Sequence, residues 1–66
     1  MLKPLPLKTE QIQSALAKAE FYKGKIDGIM GPKTRRAIKA FQKSRGLKTD
    51  GVIGPRTQNA LSEYLN

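Results

Sequence analysis

Two residue types central to enzyme and metal chemistry are missing: the 66-residue chain has no cysteine and no histidine. That removes a disulfide frame, the usual zinc, haem-attachment and iron–sulfur ligand sets, and Ser–His or Cys–His nucleophile pairs. No catalytic residue, metal site or cofactor is therefore expected. A cysteine-free domain tolerates oxidising and reducing surroundings alike, so compartment stays open on this count. Tryptophan is absent too, and two Tyr and two Phe supply all the aromatic surface. Acidic residues are scarce, 5 Asp and Glu against 13 Lys and Arg, for a net charge of +8. Such a balance favours an anionic partner and says little about fold. No run approaches the roughly 20 apolar residues of a membrane span. Residues 1–8 hold two prolines and no apolar stretch of signal-peptide length. They are read as a linker, with residues 9–66 as one domain and any export signal outside this chain.

A chain this short buries only about 60% of the surface its unfolded form exposes, so a single small core is expected. What organises the chain is an internal repeat. Residues 26–42 read IDGIMGPKTRRAIKAFQ and residues 49–65 read TDGVIGPRTQNALSEYL. At a shift of 23, Asp27/Asp50, Gly28/Gly51, Gly31/Gly54, Pro32/Pro55, Thr34/Thr57 and Ala37/Ala60 are identical. Ile29/Val52, Lys33/Arg56, Ile38/Leu61 and Phe41/Tyr64 are conservative pairs.

Each part of the unit has a physical task. Asp-Gly favours a tight turn, because the carboxylate accepts nearby N–H groups and Gly tolerates positive φ. The apolar pairs Ile29–Met30 and Val52–Ile53 are expected to plug the loops into the core. Gly-Pro starts a helix, since Gly suits the N-cap and Pro at the first helical position loses no needed donor. Thr34 and Thr57 are expected to help close the first turn. Helices follow near 32–45 and 55–65. Before the first copy, Thr9 is expected to cap a helix in which Ile12, Ala15, Leu16 and Ala19 form a buried stripe. Gly24 ends the following turn, and Gly46–Leu47 end the middle helix. The reading is all-α: a compact three-helix bundle with two similar DGxxGP loops.

At about 100° per residue, the middle helix divides its surface. Thr34, Ala37, Ile38 and Phe41 face one way, and Arg35, Arg36, Lys39 and Lys43 occupy an opposing arc. A solvated face is one reading of that stripe. Contact with ligand carboxylates or phosphates is the other, favoured by the lack of interspersed acids.

These residues resemble the peptidoglycan-binding domain family, three-helix modules attached to cell-wall hydrolases, amidases and other envelope proteins. The resemblance runs from Thr9 to Leu65. It is carried by Ile12-Gln13 and Ala15-Leu16, the two Asp-Gly-apolar-apolar-Gly-Pro-basic-Thr segments, Ala40-Phe41-Gln42, Gly46-Leu47 and Ala60-Leu61. Two departures stand out. Glu20 sits where the family usually has Gly, which suggests a longer first helix or a different turn into Phe21. Gln58 sits where Trp is common. Sugar stacking would then fall to a tyrosine, and Tyr22 is the expected exposed one because Tyr64 aligns with Phe41.

The resemblance implies non-catalytic attachment to bacterial peptidoglycan, glycan strand or stem peptide, by a monomeric module linked to a parent domain. It places that parent in the cell envelope, periplasmic or secreted. Candidate ligand contacts are Tyr22, Asp27, Lys33, Arg36, Lys39 and Arg56, helped by backbone donors at the Gly-Pro helix starts. Asp27 and Asp50 also read as turn residues, with neither the oxygen density of a calcium loop nor the surroundings of a glycosidase pair. Gly28, Gly31, Pro32, Thr34, Asp50, Gly51, Gly54, Pro55 and Thr57 are read as loop architecture. Two other classes compete. Nucleic-acid or polyanion binding fits the charge, but a long structured loop joins the second and third helices where a helix-turn-helix has a short turn. A protein-docking module is the third class, with Leu2, Leu5 and Leu7 as exposed contacts.

Overall fold

The computed structural model describes residues 6–65. Three helices follow in order: α1 (Thr9–Lys18), α2 (Pro32–Ser44) and α3 (Pro55–Ser62), closed by a 3-10 turn at Glu63–Leu65. No strand occurs among the described residues. Gly31 and Gly54 cap α2 and α3 in nearly the same extended conformation, each followed by Pro at the first helical position. The repeated Gly-Pro thus starts both helices as expected.

The start of α1 differs from expectation. Its cap is Lys8, and Thr9 already lies in the helix. Gln11 Oε1 accepts the Lys8 N–H at 2.8 Å. A glutamine at this position satisfies an otherwise orphaned donor, so no hydroxyl cap is needed.

The ends of α1 and α2 are one motif made twice. Phe21 N–H reaches Leu16 O at 2.8 Å, and Leu47 N–H reaches Gln42 O at 2.8 Å. The residue before each is left-handed, Glu20 at φ 69° and Gly46 at φ 70°. This closing pattern needs a left-handed residue, usually Gly. Glu20 makes the same turn at the expense of backbone strain. The longer helix or altered turn that its side chain suggested is not what forms.

The core is a wedge between the helices. Ile12, Ala15 and Leu16 from α1 meet Ala37, Ile38 and Phe41 from α2 and Ala60 and Leu61 from α3. Phe41 is fully buried at its centre. Phe21 and Tyr64 stand edge-on to it, with centroids 5.9 and 6.0 Å away and interplanar angles of 83° and 76°. Such edge-to-face geometry sets the positive ring edge against the negative face. Tyr64 therefore belongs to the core, as its alignment with Phe41 implied. Arg45 lies over the Phe41 ring at 5.8 Å and ion-pairs with Glu63 at 2.8 Å.

Leu7 corrects the reading of the leader. It is buried, and its N–H donates to Gln58 Oε1 at 2.8 Å. A residue expected in solvent instead ties the chain before α1 to α3. Leu2 and Leu5 lie outside the described residues.

Candidate functional site

Two buried glutamines hold the repeated loops. Gln13 on α1 and Gln42 on α2 are 0% and 1% exposed. The Gln13 Oε1 accepts the Gly28 N–H at 2.9 Å. Its Nε2 donates toward Asp27 Oδ1 at 2.9 Å, Ile29 O at 3.1 Å and Thr34 Oγ1 at 3.1 Å. Gln42 repeats this set on the second loop. Its Oε1 accepts Gly51 N–H at 2.9 Å, and its Nε2 faces Val52 O at 2.9 Å, Thr57 Oγ1 at 3.1 Å and Asp50 Oδ1 at 3.3 Å. A backbone donor on one side and a backbone acceptor on the other fix which end of each amide is oxygen. A primary amide is the neutral side chain that offers an acceptor and two donors together.

Neither glutamine was picked out as structural by the residue pattern, although both fall within the family-like segments. The reason is spacing. Gln13 lies 14 residues before Asp27, whereas Gln42 lies 8 before Asp50. A comparison at the constant shift of 23 therefore sets Gln42 against Ala19. A search that allowed a gap between helix and loop would have paired the two glutamines. Thr34 and Thr57 also act differently from expectation: buried, they meet the glutamine amides, and Thr34 Oγ1 donates to Ile29 O at 3.4 Å.

The loop aspartates complete the junctions. Asp27 Oδ1 accepts Ile29 N–H at 2.9 Å, and Asp50 Oδ1 accepts Val52 N–H at 2.9 Å. The Gln13 amide and then the Ile29 N–H hold the Asp27 carboxyl below its ordinary value of 3.8. At Asp50 the Val52 N–H leads and Gln42 adds to it, outweighing partial desolvation, again lowering the carboxyl. Hydrogen bonds to the ionised form are the common cause. Gly28 and Gly51 follow at φ 75° and 74°. A Cβ on either would also press at 3.1 Å on a helix side chain, Glu10 Cγ over the first loop and Lys39 Cε over the second.

The apolar loop pairs divide. Met30 and Ile53 pack against the core, as expected, but Ile29 and Val52 are 65% and 62% exposed. Both backbone polar groups of each exposed residue are engaged inward with aspartate and glutamine, which leaves the side chain outside.

Two shallow grooves border these junctions. The first, of about 290 Å³, has Phe21, Ala37 and Ala40 along it with Lys23, Lys33 and Arg36. The second, of about 420 Å³, is lined by Leu47, Val52 and Pro55 with Lys48, Asp50 and Arg56. Of the sequence-derived candidates, the structure brings Tyr22, Lys33 and Arg36 to the first groove and Arg56 to the second. Lys39 lines neither, and its stem covers Gly51. Asp27 sits in the first loop junction.

Tyr22 corrects the stacking expectation. It is 6% exposed, and its hydroxyl donates to Lys25 O at 2.6 Å and receives Gln13 Nε2 at 3.4 Å. Gly24 lies against it, where an added Cβ would stand 2.7 Å from Oη and 2.9 Å from Cζ. The ring is enclosed by its own loop and offers no open face to a sugar.

Three comparisons bear on this architecture. A family model described as "Putative peptidoglycan binding domain" matches residues 8–61. The chain is 46% identical over 46 residues to "N-acetylmuramoyl-L-alanine amidase XlyB" of Bacillus subtilis, covering 61% of this chain and 14% of the amidase. It is 47% identical over 38 residues to "Putative OxPP cycle protein OpcA" of Synechocystis sp., covering 58% of this chain and 8% of that protein. Each match thus spans only a small part of a much longer relative. No solved structure matches the chain at a comparable level of significance. A family match over most of the chain, three helices in the expected order and twice-built Gly-Pro loops lead to one assignment: the chain belongs to the peptidoglycan binding domain family.

Proposed function

We propose that this module binds bacterial cell-wall peptidoglycan without catalysing a reaction on it, and so localises a larger envelope protein. The observation that carries this reading is the family match over residues 8–61. The relation to an amidase by name supports it, with the wall-cleaving chemistry assigned to the part of that relative outside the match. The two grooves, open and edged with cations, suit a weak polar ligand. Weak binding suffices here. A flexible tether gives an effective concentration in the mM range, so an intrinsic affinity of about that order already biases location. Cell envelope or wall is the location this function requires.

Co-sedimentation with purified sacculi, at low salt and again at high salt, tests the reading. Retention at both is the expected result. Loss at high salt, with equal binding to duplex DNA at low salt, would make the domain a polyanion binder, since such binding falls steeply with salt.

A second reading is supported by one observation. A relative carries an OxPP cycle name and no wall term, so a similar segment occurs in proteins of different description. Under this reading the module docks a protein partner through the exposed Ile29 and Val52 tips. Ile29→Ser, at a tip that lines neither groove, would then weaken partner capture while leaving sacculus retention unchanged.

A further inference from the structure

Each repeat has a groove beside its helix start, and we propose that both are carboxylate-binding sites, so that the module is bivalent for short peptides ending in a free carboxylate. This rests on the peptidoglycan reading above and deepens it, by choosing the stem peptides over the glycan strand. The grooves correspond at the helix end and at the basic residue after Gly-Pro, while the first runs on along α2 past Arg36 and Ala40 and the second covers the loop at Asp50 and Val52. Phe21 in one and Leu47 in the other each follow a left-handed residue and each return an N–H to their own helix at 2.8 Å. Lys33 and Arg56 are each the second residue of a helix begun by Gly-Pro. One helix end and the next helix start therefore bracket a shallow trough, twice, each with an apolar wall and a cation at the same place.

Charge selects the occupant. The first groove has three cations, Lys23, Lys33 and Arg36, and no acid in its lining. The second has Lys48 and Arg56 with one carboxylate, Asp50, whose Oδ1 is already held by Val52 N–H and Gln42. An anion is thus favoured in both. Arg beside an apolar wall suits a planar carboxylate flanked by a small aliphatic side chain, because the guanidinium fork matches two oxygens. The grooves are poorly made for a sugar. The second has no aromatic ring in its lining; in the first, Tyr22 has its faces enclosed and Phe21 is half-buried against Phe41. Volumes of about 290 and 420 Å³ are those of a dipeptide-scale site, not a long strand.

Bivalency has a consequence that a single site lacks. A polymer bearing many peptide ends can occupy both grooves, and the second contact then forms at the effective concentration set by the first. The individual grooves need only be weak.

The test is an amide-shift titration of the labelled domain with N-acetyl-alanyl-alanine, its C-terminal amide, and an N-acetylglucosamine oligomer. Expected are two sets of shifts with the free acid, around Phe21–Lys33 and around Leu47–Arg56, each at least tenfold weaker with the amide. Arg56→Ala should erase the second set and leave the first, and Lys33→Ala with Arg36→Ala should do the reverse. All three side chains are exposed, so folding is retained and is checked by circular dichroism. On sacculi, loss of either groove should weaken retention by roughly tenfold or more, beyond the twofold of independent sites. Equal response to acid and amide, shifts with the sugar oligomer alone, or a single set of shifts would each overturn the proposal. Sacculus retention by wild type with no peptide response overturns the carboxylate grooves and leaves the wall-binding reading standing. Absence of both overturns both.

Discussion

Replacing Gln42 by Leu is expected to cost a large share of the domain's stability. The side chain is 1% exposed and joins α2 to the second loop through the Gly51 N–H, Val52 O, Thr57 Oγ1 and Asp50 Oδ1. Leucine has a similar volume but neither donor nor acceptor. Val52 O keeps the Gly54 N–H at 3.1 Å, and Asp50 Oδ1 keeps Val52 N–H. The groups stranded are chiefly the Gly51 N–H and the Thr57 hydroxyl. At about 1–3 kcal/mol for each stranded buried group, less what the added apolar burial returns, the net loss is about 2–4 kcal/mol. A domain this size holds roughly 3–10 kcal/mol in total. Urea unfolding followed at the helix band should show a midpoint moved sharply down with the slope unchanged. In a thermal scan the same loss appears as a fall of about 10–25 °C.

Gln42→Glu sharpens the test. It keeps the acceptor facing Gly51 but turns an oxygen toward Val52 O and Asp50. The buried carboxyl is held above its unfolded value of about 4.3. The native state then binds more protons than the unfolded one above that pH, so stability relative to wild type falls as pH rises through this range and returns on acidification. A Gln42→Leu melting point within about 2 °C of wild type, or a Gln42→Glu variant with no pH response, would refute the claim that this amide holds the loop.

Three further outcomes follow from the same geometry. Glu20→Gly should stabilise by about 0.5–1 kcal/mol in urea unfolding, because a left-handed side chain costs about 1–2 kcal/mol and glycine's greater unfolded freedom takes back about 0.5–1; an unchanged or lower midpoint contradicts this. Gly24→Ala should destabilise by about 1–3 kcal/mol, since its Cβ would stand 2.7 and 2.9 Å from the Tyr22 hydroxyl and ring, and Gly24→Ala with Tyr22→Phe should recover part of that loss because the contact with Oη is removed. Asp27 and Asp50 have lowered native carboxyl values, so their contribution is full above about pH 3.8 and is lost as pH falls through the native values; Asp27→Asn with Asp50→Asn should flatten the stability profile below pH 3.8, measured by urea midpoints between pH 2 and 5.

The elements legible from residues alone are those set by local chemistry. Gly-Pro-basic-Thr stops and starts a chain wherever it occurs, because proline's fixed φ and missing donor act within one turn. That is why α2 begins at Pro32 and α3 at Pro55 as expected, and why Ile38, Phe41 and Leu61 fall on the buried side at helical spacing. The family could be read from the doubled loop for the same reason.

Elements that depend on distant partners were not legible in this way. Gln13 and Gln42 look like ordinary polar helix residues until the loops fold over them, and the unequal spacing hides their kinship. Tyr22 was expected in solvent, yet the loop's own Lys25 carbonyl and Gly24 enclose it. Leu7 was expected in the leader, and Gln58 of α3 draws it in. Glu20 shows the converse: its side chain argued against a left-handed turn, and the tertiary packing of Phe21 against Phe41 imposes one. Local sequence determined where α2 and α3 begin. Burial of a few polar groups, which requires partners far apart in the chain to meet, decided how the loops are held and which surfaces remain open to a ligand.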